Sequence, residues 1–472
     1  MLYREVWPSK IIATLGPSSS DYRIVEAMAR EGASGFRINM SHGDERSWDT
    51  LVSICKRVEE RIGPLALIAD IEGPRVRIGD MEPLKVRPGD RLVFGLDEGV
   101  RVDKPEFFKA LEEGDRVLVD DGRVELVVRS VSGNKAVLEV VKGDILEPRK
   151  GVVVVGKEFD LPPLSEGDER SLKFVASRPF SHVLASFVRS SSDVKAVVDY
   201  LDDLGRGDIW VFSKVETPSG VRNLTDILAV SDGIVVARGD LGMHFPLEEI
   251  PLLQSRIVRS SIDAGKPVVL ATELLTTLRY STRPTRSEVL DVYEGVTSGV
   301  DAFLLTGETA VGKYPVEAVR WMYRIIASAQ AAIKPGSLNA GRKEETLVDR
   351  LADGIVRLVE SIGASLVIYS RSGTFARRVS SNKLSKAFYV GVPSDSVARR
   401  VALLWGAVPI VVGEHEYERG LERTSEELSK RGVITEKTPL VEAAWSKEIG
   451  TYIIRVRNLL EAFPQPYNAV RQ

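Results

Sequence analysis

Between Lys10 and Gln330 a strand-like apolar run is followed by a helix-spaced segment eight times over, and few folds accommodate that rhythm. The first unit pairs KIIATLG with DYRIVEAMAREG, and GFRINMS and PLALIAD follow as further strands. Later units pair HVLASFV with SSDVKAVVDYLDDLG, IWVFSKVE with SGVRNLTDILAV, and GIVVARGDL with EEIPLLQSRIVRSSIDAG. PVVLATELL with TRSEVLDVYEGVTSG, and AFLLTGE with VEAVRWMYRIIASAQAAI, complete the series. Eight such units in about 250 residues predict a closed parallel (β/α)8 barrel. An open doubly wound sheet is the alternative, but it usually carries a glycine-rich phosphate turn after its first strand. LGPSSS stands at that place, and no GxGxxG follows it.

The rhythm breaks once. From about Arg75 to Glu158 come short valine-rich runs, DRLVFGL, DRVLVDD, RVELVVRSV and KAVLEVV, separated by PGD, DDG and SGN. Turn signals that frequent predict a small antiparallel β domain inserted into the α/β chain. Beyond the polar stretch KPGSLNAGRKEE a third α/β unit begins, with SLVIYS, AFYVGV, VPIVVG and TYIIRVRNL as its strands. The expected domains are residues 1–74 with 159–338 for the barrel, 75–158 for the insertion and 339–472 for the C-terminal unit.

Charge narrows the function. Lys+Arg 64 against Asp+Glu 67 leaves a net charge of −3, without the basic excess that nucleic acid or a membrane surface demands. The single cysteine, Cys55, excludes an intramolecular disulfide framework and suits a reducing compartment. In LVSICKRVEE it reads as a small buried apolar residue. MLYREVWPSK lacks the apolar core of a signal peptide and no apolar run is long enough to span a bilayer, so a cytoplasmic location is expected.

Polar residues gather at one end of most barrel strands. Arg37, Asn39 and Ser41 alternate at the end of the second strand and so share a face. Asp70 ends the third strand, and Lys214 and Glu216, two apart, end the fifth. Arg238-Gly239-Asp240 ends the sixth, Thr272 the seventh and Thr306-Gly307-Glu308 the eighth. Solvated strand ends would scatter such residues at both ends; barrel enzymes carry their chemistry at the carboxyl ends. Glu216 and Asp240, from adjacent strands, can share a hard divalent cation whose remaining ligands are waters and substrate oxygens. Arg37 and Lys214 supply positive charge for a phosphorylated or carboxylated substrate. Gly239 lets backbone N–H groups approach an anion at the start of a helical turn. His42, His182, His244 and His415 are scattered and there is no second thiol, so no zinc site is expected. GVVVVGKE matches a phosphate loop up to its last position, where Glu158 replaces the magnesium-binding hydroxyl; it is expected to be a strand.

With these residues in view the chain resembles the pyruvate kinase family along essentially its whole length. The matching segments are KIIATLGPSS, FRINMSHG, ADIEGPRVRIG, FDLPPLSEGD, LASFVR, SKVET, VARGDLG, RPTRSEVLDV and LTGETAVGKYPVEAV, in the family's order. The resemblance implies a TIM-barrel A domain, a small mobile β-barrel lid as B domain, a C-terminal α/β regulatory domain and a homotetramer. It implies transfer of the phosphoryl group of phosphoenolpyruvate to ADP, the last step of glycolysis, assisted by magnesium or manganese. On that likeness Lys214 lies against the transferring phosphoryl, Glu216 and Asp240 hold the divalent ion and Arg37 binds the phosphate. Thr272 lines the face where the enolate is protonated, and Gly239 and Asp240 touch substrate. His42, Arg77 and Lys150 become nucleotide-side contacts, and Asn39, Ser41 and Asp70 a monovalent-cation site. Ser370, Arg371, Ser372, Gly373 and Thr374, in YSRSGTFARRVS, resemble an effector phosphate loop ahead of a helix.

Three departures matter. Arg75 stands where potassium-dependent members have an acidic residue, and Ile71 where they usually have Thr, so a guanidinium could replace the potassium charge. Val153 and Val155 replace the usual Asn and Pro at the lid's return strand. The later glycine-rich effector loop is shortened to AWSKEIG, which implies a phosphorylated effector other than fructose 1,6-bisphosphate. Two other classes compete. A barrel lyase would also hold a pyruvate enolate on a divalent ion, but would need neither the insertion nor His42 and Arg77. A silent scaffold would be expected to have lost one of Lys214, Glu216, Asp240 or Thr272.

Overall fold

The computed structural model describes residues 7–334, 336–339, 346–446 and 450–458. Eight parallel strands, Lys10–Leu15, Gly35–Asn39, Ala66–Asp70, His182–Ala185, Trp210–Val215, Gly233–Ala237, Val268–Ala271 and Ala302–Leu305, close into a barrel. Each lies beside its neighbours in the series, and the ring closes where Lys10 faces Ala302. Side-chain alternation divides every strand between two cores. Ile11, Phe36, Val183 and Phe303 pack outward beneath the helices. Ile12, Ile68, Leu184, Phe212, Val235 and Leu304 belong to the second cluster, which fills the barrel. Full burial of each such side chain is worth about 1.5–3 kcal/mol, so this layer holds the ring shut. Two residues further along the same inward set stand Thr14, Asp70, Ser186 and Lys214: the apolar filling gives way to polar groups at the carboxyl ends.

The insertion after the third strand is a seven-stranded sheet in the order Val76–Arg77, Gly151–Val154, Arg116–Val119, Val124–Ser132, Lys135–Lys142, Arg91–Gly95, Val100–Arg101. Its pairs are antiparallel except the last. The sheet curls until Ile78 bridges Val102, bringing its two edges together. Gly151–Val154 is a strand between two others, and no helix follows before Glu166, so the phosphate-loop likeness is a coincidence of composition.

The C-terminal unit is a five-stranded sheet ordered Ala407–Val411, Phe388–Val392, Ser365–Tyr369, Leu440–Ser446, Thr451–Arg457, the last strand antiparallel. It sits against the barrel's amino-terminal end. There Arg399 donates to both carboxylate oxygens of Glu59, Arg377 pairs with Asp232 at 2.8 Å, and Lys10 Nζ donates to the Ala407 carbonyl. The leader expectation falls on residues 1–6, the linker largely on 335 and 340–345, and the tip of AWSKEIG on 447–449, all outside the described residues.

His182 is fully buried at the start of the fourth barrel strand, edge-on to the Trp210 and Phe212 rings, with Nδ1 2.9 Å from Ser181 Oγ. Its Nε2 has no partner. Burial, with the nearby Arg400 charge, pushes its pKa down to about 3. The unfolded chain therefore takes up a proton near the ordinary value of about 6.5 that the folded chain refuses. Stability should fall as pH drops from about 6.5 toward 3, by up to about 1.4 kcal/mol per pH unit. Urea unfolding across that range should show a flatter dependence for His182→Phe than for the parent.

Candidate active site

Two basic side chains, Arg37 and Lys214, and three acidic ones, Asp70, Glu216 and Asp240, converge at the barrel's carboxyl end. Arg37, 9% exposed, donates from Nε to Asp70 Oδ2 at 2.7 Å and from Nη1 to Thr14 Oγ1 at 3.0 Å. Asp70 also accepts from Ser186 Oγ at 3.0 Å. Burial works against its charge, but Arg37 and Lys214 prevail and hold the Asp70 carboxyl below its ordinary pKa. Lys214 Nζ donates to Ser186 Oγ at 3.0 Å and lies 3.8 Å from Asp70 and 3.3 Å from Glu216 Oε2. Burial disfavours the ammonium, yet Asp70, Glu216 and Asp240 together raise its pKa, so Lys214 is a cation.

Glu216 has no exposed surface. One carboxylate oxygen accepts from the Phe187 N–H at 2.6 Å. The other is orphaned: Lys214 attracts it but is not aligned to donate. Burial drives the Glu216 pKa up, Lys214 opposes this and Asp240 adds repulsion. Asp240, in the first turn of the helix Arg238–His244, acts on both Lys214 and Glu216. Glu216 thus presents an orphaned buried oxygen with the Asp240 charge near enough to act on it. Among the described residues no group of three or more metal-ligating His, Cys, Asp or Glu side chains is assembled.

Thr272 follows the seventh strand with φ +67. Its hydroxyl donates to the Ala271 carbonyl at 2.6 Å and accepts from the Gly239 N–H at 2.8 Å. The Gly239 N–H is thus engaged by the Thr272 hydroxyl. Glu308, 2% exposed, accepts from the backbone of Thr306 and Leu275 and fixes the eighth-strand loop.

Other expected residues lie further out. Asn39 Oδ1 accepts from the Ser41 N–H. Arg77 pairs with Glu72 and donates to the Arg149 carbonyl, while Lys150 pairs with Asp120 at 2.9 Å and Glu147 at 3.0 Å. His42 is exposed, and its pKa is lowered by burial of part of the ring and by Arg77 and Arg37. The Arg75 guanidinium lies over the Phe187 ring at 5.4 Å, against Gly151 of the inserted sheet. In the C-terminal unit Gly373 N–H donates to Ser370 Oγ, Ser372 Oγ to Thr374 Oγ1, and Arg371 stacks over Tyr417. Sequence reasoning did not single out Ser186, Thr14 or the Phe187 N–H. Ser186 and Thr14 carried a signal, since each is a hydroxyl two places beyond an inward-facing Leu184 or Ile12.

A buried lysine ammonium beside two carboxylates thus stands at the carboxyl end of a (β/α)8 barrel, next to an inserted sheet, where barrel enzymes carry their chemistry. Residues 7–319 match the family model for the pyruvate kinase barrel domain, and residues 349–454 that for the pyruvate kinase alpha/beta domain. The pyruvate kinase of Aeropyrum pernix is 48% identical over 454 residues, covering 96% of this chain and 99% of the relative. That of Pyrobaculum aerophilum is 34% identical over 95% of this chain and 96% of its own. The crystal structure of pyruvate kinase from Pyrobaculum aerophilum superimposes with a TM-score of 0.86 at 33% identity, over 96% of this chain and 99% of that one. The chain belongs to the pyruvate kinase family.

Proposed function

We propose that this enzyme transfers the phosphoryl group of phosphoenolpyruvate to ADP, giving ATP and, after protonation of the enolate, pyruvate. The carrying observation is Lys214 held as a cation 3.3 Å from the orphaned oxygen of Glu216, in a mouth where charge must be neutralised during transfer. Magnesium or manganese, held by Glu216 and Asp240, would neutralise phosphate and carboxylate charge. Lys214 meets the transferring phosphoryl and steadies the developing enolate, and Arg37, pinned by Asp70, binds the phosphate. Thr272 lines the protonation face, with Gly239 and Asp240 beside the substrate. His42, Arg77 and Lys150 face the nucleotide. For the two basic residues this means exchanging Glu72, Asp120 and Glu147 for phosphate oxygens. The inserted sheet, residues 75–158, acts as a lid that excludes water. A coupled assay for ADP-dependent pyruvate formation tests the reading; no pyruvate above background with magnesium or manganese present would sink it.

Potassium is not required. Asp70 is already neutralised by Arg37 and Lys214, and Arg75 brings a further positive charge to the lid junction. Rates in sodium or tetramethylammonium salts should equal those in potassium within about twofold. A large fall without potassium would refute this.

The Ser370–Thr374 loop takes a phosphorylated effector smaller than, or different from, fructose 1,6-bisphosphate. Titration calorimetry with a panel of phosphometabolites should find another ligand binding tighter; fructose 1,6-bisphosphate as the tightest would count against it. We further assign a cytoplasmic homotetramer. Cys55 is free and buried, and among the described residues no helix is long and apolar enough to cross a membrane.

A further inference from the structure

Arg238 touches no substrate in the reaction as drawn, yet it is a 9% exposed charge between two active-site loops. The loop it reaches is strained. Thr272 and Glu273 adopt φ +67 and +52, in the left-handed region that a β-branched residue enters only when its surroundings hold it there. One Arg238 nitrogen, Nη2, donates to both carbonyls of that pair, Thr272 O at 2.8 Å and Glu273 O at 2.9 Å. The other, Nη1, donates to Asp291 Oδ1 at 2.6 Å and to Gln254 Oε1 at 3.4 Å. Asp291 lies on the helix Arg286–Thr297, so the guanidinium is itself anchored to the outer ring of the barrel. The next residue, Gly239, donates its N–H to the Thr272 hydroxyl. Thr272 is therefore gripped from two sides by consecutive residues of the sixth-strand loop.

We propose that Arg238 is a positioning residue for Thr272: it holds the Thr272–Glu273 turn in its left-handed conformation and so fixes the place of the threonine side chain on the protonation face. The inference rests on the reading of Thr272 as lining the protonation face. The planar fork of arginine suits the task because it can serve the two carbonyls and Asp291 at once. A lysine at this position keeps the charge but has no such fork.

The test is a double-mutant cycle on the full-length enzyme with magnesium bound. Arg238→Met, Arg238→Lys, Thr272→Ala and the double variant Arg238→Met/Thr272→Ala are compared. Two rates are read: kcat in the coupled assay, and exchange of the pyruvate methyl hydrogens with solvent deuterium followed by NMR. Thr272→Ala and Arg238→Met should each lower both rates at least about tenfold, with KM for phosphoenolpyruvate and ADP moving less than about threefold. In the Thr272→Ala background, Arg238→Met should add less than about twofold, because a group acting only through Thr272 has nothing left to position. Arg238→Lys should recover thermal stability before it recovers exchange. Multiplicative losses in the double variant would overturn the positioning role, as would full exchange activity in Arg238→Met. If Thr272→Ala alone leaves both rates unchanged, it is the threonine assignment that fails, and the role of Arg238 fails with it. Should Arg238→Met not fold, the same cycle is run with Arg238→Lys.

Discussion

Replacing Lys214 by methionine should lower kcat about 10³-fold or more while changing KM for phosphoenolpyruvate less than tenfold, the size of loss seen when a preorganised positive group is removed from charge developing in a transition state. Methionine keeps the length and apolar contacts of the lysine stem, so the barrel filling beneath it, led by Phe212, is preserved. What is lost is an ammonium that reaches Ser186, Asp70 and Glu216 together. Asp70 keeps Arg37 and Ser186, so the Arg37 side of the mouth survives. Glu216 loses its nearest cation, and its burial then favours the protonated form still more. Steady-state kinetics at saturating metal checks the expectation. A variant within tenfold of the parent would show that Lys214 does not face the transferred group.

The second large effect is expected from Glu216→Gln. The amide is isosteric, and its carbonyl can still accept from the Phe187 N–H, so the loop after the fourth strand should stay in place. The negative charge offered to a divalent ion disappears. Activity should fall about 10²–10³-fold, and manganese affinity, followed by paramagnetic resonance or calorimetry, should fall at least about tenfold. Metal-free stability should move the other way or not at all. In the metal-free parent burial pushes the Glu216 pKa up to about 8, so at neutral pH Gln takes the place of a carboxyl that is already largely neutral. A variant that loses activity, binds manganese normally and melts earlier would point to a merely structural Glu216.

These expectations rest on a site that was only partly legible beforehand. Glu216 and Asp240 could be paired from sequence because both end strands that must be adjacent once eight units close in order. Lys214 and Glu216, two apart, could be read as sharing a direction, although Glu216 falls just past the last residue of its strand. Ser186 carried a direction, two places beyond Leu184, but a serine in LASFV gives no sign of its partners. Only the closed ring brings it between Lys214 and Asp70, whose strands lie to either side of its own. The partner of the Gly239 N–H was not legible for a related reason. Its freedom to approach an anion follows from having no side chain, but its N–H partner comes from Thr272, one strand away.

Local periodicity and strand-end chemistry determined the alternation, the place of the insertion, the polar mouth and the identity of its charged residues. These depend on interactions within a few residues, and on which residue types can face a core. Tertiary structure alone decided which charges meet. Arg37 with Asp70 spans 33 residues, Arg238 with the Thr272 carbonyl 34, and Lys10 with the Ala407 carbonyl 397. A hydrogen bond between distant segments leaves no mark in the spacing of either one, because its geometry is set by the register in which the ring closes.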